Sequence, residues 1–300
     1  MGDRGAGKAG KTTDKKKGAL PHNNNPPPTT MSHLPRTSRR VLSSTASGDL
    51  FVIFGAAVGN IGGALSAKLL TNHPGSQVHI VGRSQDKLSA LEEHLAGLTG
   101  QPDRAHTAVI DAVNDPKAVD ELFSKQLAGV PTGVANCIGS VILKPAHSTT
   151  DAEWRSTLDT NATSAFNILR AASKKMMRGD GGSIALCASA VALHGVQNHE
   201  AIAAAKGAVA AMAKSAASTY APKNIRVNAV APGLIATPMT SKITSNEAAR
   251  KASEAMHALK RIGTPEDVAS ALEFFLNPSN SFVTGQVLGV CGGLSSVRAQ

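Results

Sequence analysis

The stretch LFVIFGAAVGNIGG, residues 50–63, decides the fold. Five largely apolar residues end at a glycine, Gly59 follows, and a helical pattern with Gly62 and Gly63 in its first turn takes over at Ile61–Leu70. An apolar run of this length, closed by glycine and followed by a 3.6-residue periodicity, reads as a buried strand running into a helix. Glycines at Gly55, Gly59 and Gly62 permit a tight turn and close approach of backbone to a ligand. The N–H groups that open the helix, from Ile61 onward, then face whatever lies there and suit a pyrophosphate. The spacing Gly55-x₃-Gly59-x₂-Gly62 departs from the usual GxGxxG, so a purely packing role for these glycines stays open.

The same unit recurs along the chain. QVHIVG, HTAVID, GVANCIG, GSIALCAS, IRVNAVAPG and GQVLGV are further apolar runs, separated by helix-like segments such as DKLSALEEHL. Seven runs alternating with helices predict an α/β fold: a doubly wound, Rossmann-like parallel sheet of seven strands with helices on both faces. Ligands of such sheets bind at the carboxyl ends of the strands, where the order reverses. The second strand ends in Arg83, where an adenosine ribose would lie; an arginine there favours the 2′-phosphate of NADP(H) over NAD(H) through charge-assisted hydrogen bonds. A solvated loop arginine is the plainer reading. Asp111, after the third strand, suits either an adenine contact or the cap of a helix starting near Pro116.

Composition limits the remainder. The 300 residues carry 42% apolar side chains and a mean hydropathy of -0.07, ordinary for a soluble globular protein. No run of 18 apolar residues suggests a membrane span. Cys137, Cys187 and Cys291 lie far apart with no CxxC pair, which argues against a zinc site or disulfide framework and for reduced thiols inside a cell. The net charge of +10 would suit a nucleic-acid partner. However, nine basic and two acidic residues up to Gly48 account for +7 of it, leaving +3 for the body, so nucleic-acid binding is not expected.

Residues 1–48 read as a basic tail without hydrophobic periodicity, expected to be disordered, ahead of one domain over 49–300. Within the tail, GAGKAGKT (Gly5–Thr12) fits GxxxxGK[ST], but no strand precedes it, so it lacks the context of a phosphate loop. From Met31 the tail is Arg- and Ser-rich, which suits either mitochondrial or plastid import or a plain extension.

Together these stretches resemble the short-chain dehydrogenase/reductase family over roughly residues 50–295. GAAVGNIG is similar to that family's TGxxxGxG loop, with one extra residue before the last glycine. NCIG (Asn136–Gly139) resembles NNAG, and TNATSAFN carries Asn161 at the place of the family's helix asparagine. GGSIALCAS sets Ser189 thirteen residues before Ile202, the family's serine-to-tyrosine interval. IRVNAVAPGLIATPM matches the segment flanking the nicotinamide, with Asn228, Pro232, Gly233 and Thr237 in register. RIGTPEDVA and VTGQVLGVCGGL match the last helix and strand, with Cys291 where aspartate is usual.

The resemblance implies hydride transfer between NADP(H) and a small carbonyl or alcohol substrate, and assembly as a homodimer or homotetramer. It implies that Asn161, Ser189 and Lys206 keep three places of an Asn–Ser–Tyr–Lys tetrad whose tyrosine is replaced by Ile202. Asn228, Thr237 and Arg83 would serve the cofactor with the glycine loop. In QNHEAIAAAKGAV, Asn198 suits a helix cap, and His199, Ile202 and Lys206 at i, i+3 and i+7 share a face. His199 is a candidate substitute acid/base, since histidine exchanges protons near neutral pH; a solvent-facing histidine is the alternative. Cys187 reads as buried packing. Tyr220 lies about 27 Å along the helix from Ile202, out of reach. Two functions remain: an oxidoreductase with an atypical proton donor, or an NADP(H)-binding pseudoenzyme with a structural or regulatory role.

Overall fold

The computed structural model describes residues 48–297. The tail's phosphate-loop pattern, its expected disorder and its import reading therefore lie outside the described residues. Seven strands follow in chain order: β1 (Leu50–Phe54), β2 (Gln77–Gly82), β3 (Ala105–Val109), β4 (Gly133–Asn136), β5 (Gly182–Cys187), β6 (Ile225–Pro232) and β7 (Val287–Val290). All pair in parallel, in the order β3-β2-β1-β4-β5-β6-β7. This is the seven-stranded Rossmann-like sheet expected. From β1 the chain winds outward through β2 and β3, then returns to lay β4 on the other flank. The switch point is thus between β1 and β4.

The helices are α1 (Ile61–Asn72), α2 (Gln85–Thr99), α3 (Pro116–Glu121), α4 (Asp151–Leu158), α5 (Ser164–Met176), α6 (Glu200–Tyr220), α7 (Ser241–Thr244), α8 (Glu247–Met256) and α9 (Pro265–Leu276). One sheet face buries Phe51, Ile53, Ile80, Ala185 and Val230 against Leu65, Leu69, Leu91 and Phe275 of α1, α2 and α9. The other buries Val52, Phe54, Val134, Ile184 and Val227 against Ile168, Val209 and Ala213 of α5 and α6. Covering both faces is why the strands read as continuous apolar runs rather than alternating ones. Each buried Val, Leu, Ile or Phe among them contributes roughly 1.5–3 kcal/mol by leaving water.

Helix starts are set by side-chain caps. Asn60, Ser84, Asp115, Thr150, Asn246 and Thr264 each accept a first-turn N–H. Two expectations are corrected here. Asp115, not Asp111, caps the helix at Pro116, its carboxylate accepting from Ala118 N–H at 2.9 Å. Asn198 does not cap α6: it sits at φ 61°, one residue before the capping position, which His199 occupies without a side-chain bond. Asparagine tolerates that left-handed conformation, and there its amide is not set to receive a first-turn N–H.

α9 opens on a box in which Thr264 N–H donates to Asp267 at 2.8 Å, while Arg261 grips the same carboxylate at 2.7 and 3.0 Å. The hydrogen bonds from Arg261, then from the Thr264 backbone, pull the Asp267 carboxyl down to about 2. A carboxyl depressed in the folded state stabilises above its ordinary 3.8 and loses that contribution as pH falls through about 2. Asp267→Asn should therefore cost about 1 kcal/mol at pH 6 in urea unfolding. The gap to the parent protein should narrow steadily from pH 4 downward; an unchanged gap at pH 3 would contradict this origin.

Candidate cofactor and active site

The glycine loop rises from the end of β1 at the switch point. Gly55 has φ 80°, and a Cβ there would stand 2.7 Å from Ile138 N and 2.8 Å from Cys137 C. Only glycine lets the loop lie so close to the end of β4. Asn60, which is not among the expected site residues, fixes the loop's shape. Its amide oxygen accepts from Ala57 N–H and Gly63 N–H at 3.0 and 2.9 Å, and its NH₂ donates to Gly55 O. With Gly63 occupied, the N–H groups of Ile61 and Gly62 remain at the open, electropositive helix end, where an anion is favoured. Gly62 packs against Ala56, and Gly59 faces the ring of Pro238. An asparagine directly before a helical pattern was the available signal for Asn60.

Around this loop the other expected residues take their places. Arg83 follows β2 with its side chain 71% exposed, 4.0 Å from Asp111. Asp111 is occupied by its own turn, accepting from Val113 N–H, Asn114 N–H and the Asn114 amide. Partial burial opposes ionisation, but these bonds and Arg83 hold the carboxyl below its usual range. Asn136 is buried and accepts from Ile138 N–H at 3.0 Å, steadying the end of β4. Pro232 ends β6, and Gly233 lies against the His257 ring. Thr237 caps a short turn whose Thr240 hydroxyl accepts from Thr237 N–H and donates to Ile235 O.

The retained polar residues converge on Gly139. A Cβ there would stand 3.2 Å from Asn161 Oδ1 and 3.3 Å from Lys206 Nζ. Asn161 lies in a wide helical turn, Asp159–Thr163, between α4 and α5. It accepts from Ser140 N–H at 3.1 Å and donates to Ser140 Oγ and Thr157 O. Lys206 is buried and donates to Cys187 O at 2.8 Å. Burial lowers its pKa from the ordinary lysine value, and the Cys187 and Cys137 sulfurs beside it work in the opposite direction. Ser189 stands two residues beyond that carbonyl and accepts weakly from Val191 N–H. A cleft of about 430 Å³ opens beside Gly139, lined by Ser140, Val141, Leu143, Met239, Lys242 and Ile243.

Ile202 is buried, 4% exposed, one turn before Lys206. His199 is half-buried; a carbonyl can only accept, so its Nδ1–H donates to Gln197 O at 2.6 Å and Nε2 is left for other partners. Asn228 belongs elsewhere than expected. It is wholly buried, donating to Val283 O and accepting from Gln286 N–H, so it ties β6 to the loop before β7 rather than serving the cofactor. His257, for which the sequence held no signal, is buried and bridges Ser253 O and Leu234 N–H, docking α8 onto the end of β6.

Residues 55–295 match the family model described as enoyl-(acyl carrier protein) reductase. The chain belongs to the short-chain dehydrogenase/reductase family, and by class it is an oxidoreductase. It is 34% identical over 247 residues to the 3-oxoacyl-[acyl-carrier-protein] reductase FabG of Thermotoga maritima, covering 82% of this chain and 98% of that one. It is 33% identical over 217 residues to cyclopentanol dehydrogenase of a Comamonas species, covering 70% and 86%. Among solved structures, a short-chain type dehydrogenase/reductase from Mycobacterium ulcerans matches with TM-score 0.76 at 30% identity, over 85% of this chain and 92% of that one. ElxO with NADP bound matches with TM-score 0.76 at 26% identity, over 83% and 100%.

The close approach of Gly55 can be separated from its backbone strain. Gly75 has nearly the same φ, 81°, with nothing within 4 Å of where a methyl group would stand. Gly75→Ala should cost about 1 kcal/mol, the strain alone. Gly55→Ala should cost at least twice that in urea unfolding, since the strand end must also move. Equal costs would show that the loop does not press on β4.

Proposed function

We propose that the chain is an NADP(H)-dependent oxidoreductase that interconverts a small carbonyl and its alcohol, with a proton donor other than tyrosine. The observation that carries this reading is the meeting of Asn161 and Lys206 at Gly139, beside an open cleft and beneath the glycine loop. The cradle suits a dinucleotide: Gly55 clears the backbone, the start of α1 offers N–H groups, and Arg83 projects a free guanidinium face where a 2′-phosphate would lie. Relatives named for a 3-oxoacyl reductase and a cyclopentanol dehydrogenase point to carbonyl–alcohol pairs. ElxO with NADP bound and its tyrosine-to-phenylalanine variant with NADPH bound support NADP(H) as the cofactor.

When bound, the dinucleotide supplies or accepts the hydride. Ser189 Oγ donates a hydrogen bond to the substrate oxygen, polarising it. Lys206 provides positive charge at the floor of the site, and Gly139 holds the space between it and Asn161. Pro232, Gly233 and Thr237, together with Asn136 and Gly139, would hold the dinucleotide. His199, its Nδ1 anchored to Gln197 O, presents Nε2 as the group that gives or takes the proton. Ile202 favours a second reading, a dinucleotide-binding protein without turnover, because a buried alkyl side chain transfers no proton.

Fluorescence titration should show NADPH bound at least tenfold more tightly than NADH. Arg83→Ala should remove that preference by weakening NADPH alone, the loss of one charge-assisted contact. A carbonyl screen should then reveal NADPH oxidation that His199→Ala slows at least tenfold. Ile202→Tyr should raise the rate tenfold or more, since general acid catalysis is worth 10²–10⁴-fold. Tight binding with turnover only in Ile202→Tyr would select the second reading. Failure to bind either nucleotide would sink both.

A further inference from the structure

Cys137 and Cys187 are distant in sequence, yet the sheet sets them side by side. β4 and β5 pair in parallel with Asn136 opposite Leu186, so the next step of the same register brings Cys137 opposite Cys187. Opposed residues on neighbouring strands are about 4.8 Å apart and project from the same face. That spacing lies inside the 4.4–6.8 Å range of Cα separations that a disulfide spans. Both thiols are free, and Cys137 packs against the same apolar cluster that holds Cys187. The third cysteine, Cys291, instead contacts Ser295 Oγ at 3.2 Å.

The location of the pair gives it a consequence. Gly55 abuts the backbone of Cys137 and Ile138, and Lys206 donates to the carbonyl of Cys187. The two cysteines thus form the floor on which the glycine loop and the lysine both rest. Their environments also differ. The Cys137 thiol, then the charge of Lys206, bring the Cys187 thiol below its ordinary value against the effect of burial. The Cys137 thiol is pushed well above, mainly by Cys187 and by burial, and keeps its proton. Thiolate character is what makes a cysteine oxidisable. Cys137 is only half-buried, which leaves a small oxidant a way in.

We propose that Cys137 and Cys187 are a peroxide-sensitive dithiol whose closure to a disulfide weakens the dinucleotide cradle. The second half of this statement rests on the reading of the site as dinucleotide-binding. The Cys187 thiolate attacks one oxygen of hydrogen peroxide; the O–O bond breaks, hydroxide leaves and is protonated to water, and Cys187 becomes a sulfenic acid. The Cys137 sulfur then attacks the Cys187 sulfur. The S–O bond breaks, and hydroxide leaves as water with the Cys137 proton. Two thiols and one peroxide give one disulfide and two waters, the sulfurs losing two electrons to the peroxide. An external dithiol reverses the step by exchange. Closure draws the sulfurs from non-bonded separation to about 2.05 Å, so the ends of β4 and β5 must shift. Gly55 has no slack against one of them, and the acceptor of Lys206 moves with the other.

The test uses the full chain, treated with hydrogen peroxide and then with dithiothreitol. Unreduced peptide maps by mass spectrometry should show Cys137 linked to Cys187, and NADPH affinity should fall at least tenfold and return on reduction. Cys291→Ser should behave as the parent does, whereas Cys137→Ala and Cys187→Ala should each abolish the peroxide response. Absence of the linked peptide in the parent protein, or linkage to Cys291 instead, overturns the dithiol. A linked peptide with NADPH affinity changed less than twofold overturns the coupling. If the reduced protein binds neither NADPH nor NADH, the proposed function falls and takes the coupling with it, while the peptide map still decides the dithiol.

Discussion

The close approach of Gly55 to the end of β4 is the constraint from which the site follows. β1 sits between β2 and β4, and the chain leaves its two flanks in opposite directions, which opens a crevice at that switch point. A loop leaving β1 must cross that crevice almost touching the neighbouring strand, and a single methyl group would fill the gap. Once the loop is pressed down, Asn60 can reach back to Gly55 O and forward to Gly63 N–H, which orients α1 with its open end over the crevice. The same pressure fixes Cys137 and Ile138, and through Asn136 and Gly139 it fixes the floor shared with Asn161 and Lys206.

That floor is polar in an otherwise apolar interior, and it persists because its groups are mutually satisfied. Among the described residues no buried side-chain nitrogen or oxygen lacks a partner. Asn161 uses both ends of its amide, on Ser140 and on the Thr157 carbonyl left available in the wide turn between α4 and α5. Lys206 spends one donor on Cys187 O, and burial still weighs against its charge. A buried ammonium of this kind carries little stabilisation of its own. On the proposed reading it is charge held ready for a ligand rather than a fastening of the fold.

The architecture was legible because it is written in local pattern: seven apolar runs, glycine at the first turn, and helix-like segments between them. What local pattern could not supply was register across the sheet. Cys187 is buried packing as read, but its neighbour Cys137, far away in sequence, comes beside it only through the β4–β5 pairing. Asn228 read as a cofactor residue by its neighbours in the chain, whereas its amide is committed to the Val283–Gln286 loop that folds beside β6 much later. Asp111 and Asp115 are equally plausible caps on composition; only the turn geometry assigns the helix to Asp115 and returns Asp111 to its own loop. Asn198 fell to backbone conformation, which composition does not encode.

On the proposed reading, an isoleucine at position 202 divides the site's chemistry into two parts of unequal cost. Binding and orienting a dinucleotide would depend, on that reading, on the glycine loop, the start of α1, Arg83 and the Gly139 floor, none of which calls on Ile202. Proton transfer depends on one group within reach of the substrate oxygen, and its contribution is typically 10²–10⁴-fold, a minor share of the 10⁶-fold or more that separates enzymes from uncatalysed reactions. Losing it slows a hydride transfer without dismantling the geometry that makes the transfer possible. A ring already oriented, as His199 is by Gln197 O, would then have only to be adequate rather than ideal, since on the proposed reading the lysine, the serine and the cleft do the positioning.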